Sequence, residues 1–352
     1  MNWTTRTRTS TRPCWARGTF CCLPFSATTS STVAIDYLMK GEALIIYITG
    51  AHGFIGNHLS HHLKSRHPEA LIVGLGHAAG ESSTVLTHFE PGEIGTTVLD
   101  RAAARCGAPD VVYHLAGGSS VGASMADPGQ DFNRSAVSTS EVCEWVRCNA
   151  EQAPIVLSSS AAVYGSAPRQ VFRESDSTTP FSPYGFNKRI CELTLENYSK
   201  SFGLRTLSVR LFSIYGEGLR KQLIWDVCNK VLKNQSGRID LDGTGLEVRD
   251  WLYAPDACEI LHRASAIASS DAPILNAGRG VPVTVAQFVD LIIRTWGYQP
   301  EVAFTSRVRP GDPKSLVACT EAQSALNLPD FTSLELGIRK YVEWYRGIKG
   351  IA

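Results

Sequence analysis

An unbroken apolar run, Leu44–Thr49, feeds directly into Gly50-Ala51-His52-Gly53-Phe54-Ile55-Gly56, and a helix-like stretch follows from Asn57 to Lys64. No other feature of the chain constrains its fold as tightly. Gly50 permits a tight turn out of the strand, Gly53 lets backbone approach a ligand, and Gly56 lets the helix pack close to the sheet. A helix that begins this way offers free N–H groups and the positive end of its dipole, a seat for the pyrophosphate of a dinucleotide. Glycine spacing of this kind is a weak signal alone. Following a first strand and opening a helix, it stands in the context the motif requires.

The rest of the chain is consistent with that start. Short apolar runs recur at Ala70–Leu75, Val111–Leu115, Pro154–Leu157, Thr206–Leu211 and Pro273–Asn276, and helix-like stretches such as Ser135–Cys148 and Asn187–Phe202 lie between them. Continuous apolarity suits strands covered on both faces, and strand–helix alternation implies right-handed crossovers and a parallel sheet. The expected fold is α/β, a Rossmann-type doubly wound parallel sheet spanning 39–215. Beyond residue 215 the segments shorten and Gly and Pro punctuate them, as at Gly216–Gly218, Asp242–Gly245, Gly278–Pro282 and Arg309–Pro313. We read 216–352 as a smaller, mostly helical substrate-binding region, with some segments returning to the sheet.

Bulk properties exclude several classes. The chain of 352 residues has a formal net charge of +1, so no electrostatic field points to nucleic acid. No apolar stretch has the length of a membrane span. The ten cysteines form no CxxC pair and read as reduced thiols in a cytoplasmic enzyme. Residues 1–38 hold Arg6, Arg8, Arg12 and Arg17 among many Ser and Thr, with Asp36 as the one acid. We read them as a disordered leader, with the compact enzyme beginning near Met39. His58, His61, His62 and His67 lie on different faces of the first helix, and no nearby acid or Cys completes a metal site. The reading is surface histidines and no metal.

Dinucleotide folds place an acid at the end of the second strand to bind the adenosine ribose. Here Gly76 occupies that place, followed by His77, with Ser82 and Ser83 as the other polar residues nearby. No Arg or Lys stands ready for a 2′-phosphate, so these residues leave NAD and NADP both open.

A chemical constellation follows. The strand at 154–157 ends in Ser158-Ser159-Ser160, and downstream come Tyr184 and Lys188. The latter two are four apart and share one helix face. A neighbouring ammonium favours the phenolate, so Tyr184 can remove a proton from a substrate hydroxyl as hydride leaves the same carbon. A serine hydroxyl would hold the substrate oxygen.

With these motifs on hand the chain resembles the extended short-chain dehydrogenase/reductases, the NAD-dependent epimerase/dehydratase family, from about Ile45 to the C-terminus. Thr49–Gly56 looks like its TGxxGxxG turn, which brings Phe54 and Ile55 into the cofactor site. Glu93 and Ile94 look like the segment that meets adenine, and His114-Leu115-Ala116-Gly117 like the HLAG segment lining the cofactor. Asn133 matches an Asn on the next helix. Ser158–Gly165 resembles SSSxxVYG, which adds Ser158 to the cofactor contacts and gives Ser160 the catalytic place beside Tyr184 and Lys188. Arg210–Gly216 resembles RxFNxYG, with Phe212 against the cofactor and Ser213 where an Asn contacts substrate. Arg249 and Arg309 stand where the family's arginines bind the substrate diphosphate, a role their always-charged forks suit. The resemblance implies bound NAD, a nucleotide-diphosphate sugar substrate and a homodimer through paired helices.

It also orders the reactions. The expectation is 4-epimerisation through a transient 4-keto sugar. A 4-keto-sugar reductase using NADPH is the alternative that Gly76 keeps open. A 4,6-dehydratase is disfavoured, because Ala161 and Ala162 replace the acid–base pair that water loss needs. A non-catalytic dinucleotide-binding protein is disfavoured by the intact Ser160, Tyr184 and Lys188.

Overall fold

The computed structural model describes residues 43–77, 84–166, 170–234, 237–298, 300–307 and 311–351. The leader at 1–38, Met39, Ser82, Ser83 and Arg309 lie outside the described residues. The elements in chain order begin with β1 (Ile45–Thr49), α1 (Phe54–Arg66), β2 (Leu71–Gly76), β3 (His88–Pro91), α2 (Thr96–Cys106) and β4 (Val111–His114). There follow α3 (Val121–Ala126), α4 (Pro128–Phe132), a π-helical turn at Asn133–Val137, α5 (Ser138–Asn149), β5 (Ile155–Ser160), β6 (Val171–Phe172), α6 (Pro183–Phe202) and β7 (Thr206–Leu211). The remainder runs β8 (Ser213–Tyr215), α7 (Gln222–Lys233), β9 (Arg238–Leu241), β10 (Val248–Arg249), β11 (Trp251–Tyr253), α8 (Ala254–Ala264), β12 (Ile274–Ala277), β13 (Val283–Thr284), α9 (Val285–Trp296), β14 (Glu301–Phe304), β15 (Ser315–Ala318) and α10 (Leu334–Lys349).

The main sheet has seven strands in the order β12-β7-β5-β4-β1-β2-β3. Every pairing in it is parallel. The order reverses direction between β1 and β4, the switch point where open α/β sheets bind ligands beyond their strand ends. Both faces are covered. One carries Ile46, Ile48, Leu59, Leu63 and Ile260; the other carries Tyr47, Val73, Leu99, Val142 and Leu195. Double coverage explains why β1, β2, β4, β5 and β7 read as unbroken apolar runs. β3 gave no such signal: it is a polar edge segment, His-Phe-Glu-Pro.

Beyond residue 215 the chain is helical with short strands: β13, β10 and β15 join β6 in a four-stranded sheet, β11 pairs with β8, and β14 pairs with β9. Strands of two to four residues are too short for any hydrophobic period to register. The core there packs Phe288 flat on Trp251, ring centroids 3.7 Å apart, with Tyr215 edge-on.

One buried ion pair ties the active-site half together. Arg210 on β7 donates Nε and an Nη to both oxygens of Glu192 on α6, at 2.9 Å each. Ser159 on β5 donates to the same carboxylate at 2.6 Å. Arg210 also reaches the Tyr164 hydroxyl at 2.9 Å, and Tyr164 donates to Asn276 on β12 at 2.6 Å. Burial alone would raise the Glu192 carboxyl, but the Arg210 hydrogen bonds and charge outweigh it and hold the group below its ordinary value. Removing Arg210 leaves the buried Glu192 carboxylate only the partly exposed Arg189 and Ser159 as partners. We expect Arg210→Met to cost ~3–5 kcal/mol in denaturant unfolding, while the double replacement Arg210→Met/Glu192→Leu recovers much of it. A loss under ~1 kcal/mol in the single variant would show that the pair does not hold the fold, being within the ordinary range for any substitution.

Candidate active site

One cleft of ≈1730 Å³ opens along the strand ends at the switch point. The glycine turn forms its floor. Gly50 has φ +70°, and a Cβ there would press to 3.0 Å on the Ala116 nitrogen. A Cβ on Gly56 would collide with the Gly50 carbonyl oxygen, so α1 lies hard against its own turn. α1 is 13 residues long, no side chain caps it at Gly53, and its first turn holds no acid. Its N-terminal N–H groups and dipole are thus left to a ligand anion, and Phe54, Ile55 and Gly56 line the cleft there. His52, which the sequence reading passed over, stacks on Phe89 with centroids 4.0 Å apart, and its Nδ1 is buried without a protein partner.

At one end of the cleft stand Gly76, His77, Glu93 and Ile94. Gly76 has φ +136°, a conformation side-chain-bearing residues rarely adopt, so the backbone itself excludes the usual acid. A carboxylate is nevertheless close: Glu93 pairs with His77 at 3.1 Å, both largely exposed.

Leu115, Ala116 and Gly117 follow β4 and line the cleft, as does Asn133 at the head of the π-helical turn. This wall is anchored by a buried relay. Thr49 Oγ1 accepts the N–H groups of Leu115 and Ala116 at 3.1 and 3.0 Å, so its hydroxyl hydrogen goes to His114 Nδ1 at 2.8 Å. His114 Nε2–H then donates to Thr139 at 3.1 Å, and Thr139 donates to the Ser135 carbonyl at 2.7 Å. Burial, with the Lys188 charge adding to it, pushes His114 down to about 3. Because the folded value is depressed, this neutral imidazole contributes stability fully above about pH 6.5, the ordinary value, and loses it as pH falls toward 3. We expect the urea midpoint to decline across that window. A His114→Asn variant should start less stable and decline more shallowly; an equal slope in both proteins would remove His114 as the cause.

The chemical groups meet at the centre. Ser182 caps α6 by accepting the Gly185 N–H at 3.2 Å, and Pro183 fits the first helical position. Tyr184 therefore sits in the first turn, where its own N–H donates to the buried Ser124 at 3.0 Å. Lys188, buried to 3 % exposure, donates to the Ser158 carbonyl at 2.8 Å, and its Nζ lies 6.0 Å from the Tyr184 ring centroid. Gly117 must be a glycine here: φ is +145°, and a Cβ would stand 3.3 Å from that ammonium. Ser160 accepts the Ala162 N–H at 3.2 Å, which leaves its hydroxyl hydrogen to donate to a bound molecule. Ser124 gave no sequence signal, because its role depends on α3 packing on α6.

The far end of the cleft is lined by Phe212, Ser213 and Arg249, with Lys221, Arg307, Asp312 and Lys314. Arg249 donates to the Val248 carbonyl at 2.9 Å, and burial pushes its guanidinium down, opposed by the charges of Asp312 and Glu247. Its neighbour Asp250 is structural, accepting the N–H groups of Arg279, Gly280 and Ala318 at 2.8, 2.8 and 3.1 Å. Arg307, Lys221 and Lys314 were missed by sequence reasoning, since charged loop residues carry no periodic or motif signal.

The histidines correct the sequence reading. His58 is half-buried and bonds the Glu217 carbonyl at 2.7 Å, and only His61 is exposed. His62 and His67 meet His262 and Glu259 of α8, so an acid does stand among them. Nothing local in the sequence joins residues nearly 200 positions apart.

A dinucleotide-type turn, a Tyr/Lys pair on one helix face and a serine at the neighbouring strand end define the cleft of a nicotinamide-dependent short-chain oxidoreductase. The chain belongs to the NAD dependent epimerase/dehydratase family, whose profile matches residues 46–278. It is 27% identical to UDP-glucose 4-epimerase of Azospirillum brasilense over 325 residues, covering 86% of this chain and 92% of that one. Among solved structures it is similar to the UDP-glucose 4-epimerase of Thermus thermophilus in complex with NAD, with a TM-score of 0.77, 26% identity, and coverage of 86% and 99% of the two chains. It is also similar to MoeE5 in complex with UDP-glucuronic acid and NAD, with a TM-score of 0.75, 26% identity and the same coverage. Among the described residues no helix is long and apolar enough to cross a membrane.

Proposed function

We propose that this enzyme is a nucleotide-sugar 4-epimerase that keeps NAD bound through the cycle. The observation that carries the reading is continuity. A single cleft runs from the uncapped N-terminus of α1, past Ser160, Tyr184 and Lys188, to Arg249. One end suits the pyrophosphate of a dinucleotide and the other the diphosphate of a sugar nucleotide, with the base between them.

The residues present fit the cofactor. The glycine cradle and the free helix terminus would take its pyrophosphate. Gly76, His77, Glu93 and Ile94 would surround the adenosine, and Leu115, Ala116, Gly117, Asn133, Ser158 and Phe212 would flank the rest. Glu93 beside the ribose position would repel a 2′-phosphate, which favours NAD over NADP. Bound NAD supplies the acceptor and donor of hydride at the sugar carbon.

The chain's own groups handle the proton and the geometry. Tyr184 takes the proton from the 4-hydroxyl and later returns it. Lys188, with one N–H on Ser158 and two left for the cleft, places positive charge near the phenol. Ser160 donates its free hydrogen to the sugar oxygen. Arg249, with Arg309 as a second fork, holds the diphosphate so that the sugar can present either face without leaving. Ser213 would touch the sugar or its nucleotide. The turn after β5 carries Ala161 and Ala162, so it offers no carboxyl to expel water, which argues against dehydration.

The same reading divides the chain near residue 215 into a cofactor half and a substrate half, and takes the enzyme to be cytoplasmic. It also pairs two copies through α5 and α6, where Phe186, Leu193 and Phe202 leave apolar surface exposed on α6.

Two measurements test the reading. Denaturing the purified protein should release NAD in near-stoichiometric amount. An empty site together with NADPH-dependent reduction of a 4-keto sugar nucleotide would replace epimerase by reductase. Tyr184→Phe should lower kcat roughly 10²–10⁴-fold and leave the NAD content unchanged. Near-wild-type turnover would remove Tyr184 as the base.

A further inference from the structure

On the side of the sheet away from that chemistry, α1 packs against α8 through a cluster the function does not use. Glu259 and His262 are three apart on α8, a Glu-x-x-His pair that shares one helix face. From α1 comes His62. Its Nε2 lies 3.3 Å from His262 Nδ1 and 3.3 Å from a Glu259 carboxylate oxygen. The three ligand atoms lie within 4.8 Å of one another.

Those separations have a chemical meaning. Two ligands on a tetrahedral zinc ion, each about 2.0–2.1 Å from the metal, stand roughly 3.3 Å apart. The two 3.3 Å separations at His62 Nε2 thus match the bite of a transition-metal ion, and the Glu259 and His262 ligand atoms lie within 4.8 Å of each other. The surroundings suit one too. His262 uses Nδ1 on this side, and its Nε2 meets His67 Nε2 at 2.9 Å, the outer hydrogen bond that orients a metal-bound imidazole. Arg263 holds the other Glu259 oxygen.

We propose that His62 Nε2, His262 Nδ1 and Glu259 form a binding site for a zinc-class divalent metal ion that ties α1 to α8, with water completing the coordination. One group competes: Arg66 donates to the same Glu259 oxygen that faces His62, at 2.8 Å. Its side chain is half exposed, so it can turn to water when the ion enters. The clamp would brace the helix whose N-terminus builds the dinucleotide turn against a helix of the second region.

Co²⁺ titrated into the untagged full-length protein tests this, read by the visible d–d spectrum and by calorimetry. We expect one ion per chain, no thiolate charge-transfer band from the cysteines, a rise in Tm with Co²⁺ or Zn²⁺, and unchanged bound dinucleotide. His62→Ala and His262→Gln should each abolish binding while circular dichroism stays native. His67→Ala should weaken it about 10-fold, as loss of an outer hydrogen bond does. Arg66→Ala should tighten it by freeing the carboxylate, an effect a purely structural cluster would not produce, and this arm remains informative if a histidine variant does not fold. His61→Ala, exposed on the same helix, should change nothing. Absence of 1:1 binding, a thiolate spectrum, or undiminished affinity in a folded His62→Ala or His262→Gln protein would overturn the proposal.

Discussion

The buried pair of Glu192 and Arg210 is the constraint on which the active-site half depends. It joins α6 to β7, takes in Ser159 from β5, and through Tyr164 reaches Asn276 on β12. The helix that carries Tyr184 and Lys188 is thereby held to the strand that ends in Ser160. Both charges are nearly sealed from water, and the Glu192 carboxylate is shared by Arg210, Ser159 and the partly exposed Arg189. A packed apolar contact would tolerate sliding; a bidentate guanidinium–carboxylate fork does not.

A second layer of the same logic lies under the cofactor wall. Thr49, His114 and Thr139 form a relay in which each hydrogen has one place to go. It fixes the backbone of Leu115 and Ala116 where the Gly50 turn approaches most closely. Polar groups are used here in the interior because they set direction, which dispersion contacts do not. The cleft between these two supports is left with unspent groups: the N-terminus of α1, the Ser160 hydrogen and the remaining N–H groups of Lys188. Those groups are what a ligand meets.

Much of the fold was legible in the sequence. The buried strands β1, β2, β4, β5 and β7 were visible because covering both sheet faces demands unbroken apolarity. β3 and the short strands of the second region were not, since a polar edge or a two-residue strand leaves no periodic trace. Tyr184 and Lys188 were legible because one helical turn separates them. Ser124, Lys221 and Arg307 were not, because loop and helix packing alone bring them to the cleft.

The sequence by itself determined the local devices: the glycine turn that leaves a helix end uncapped, the serine-ended strand, and a phenol and an amine one turn apart. These are short-range features, set by backbone sterics and helical spacing within a few residues. Only the tertiary structure decided what each device faces. It set Glu192 against Arg210, and it left Gly76 in a backbone conformation closed to an acid. It also brought His62 to His262 and Glu259 across nearly 200 residues. Such meetings depend on how helices settle on a sheet, and no local pattern encodes them.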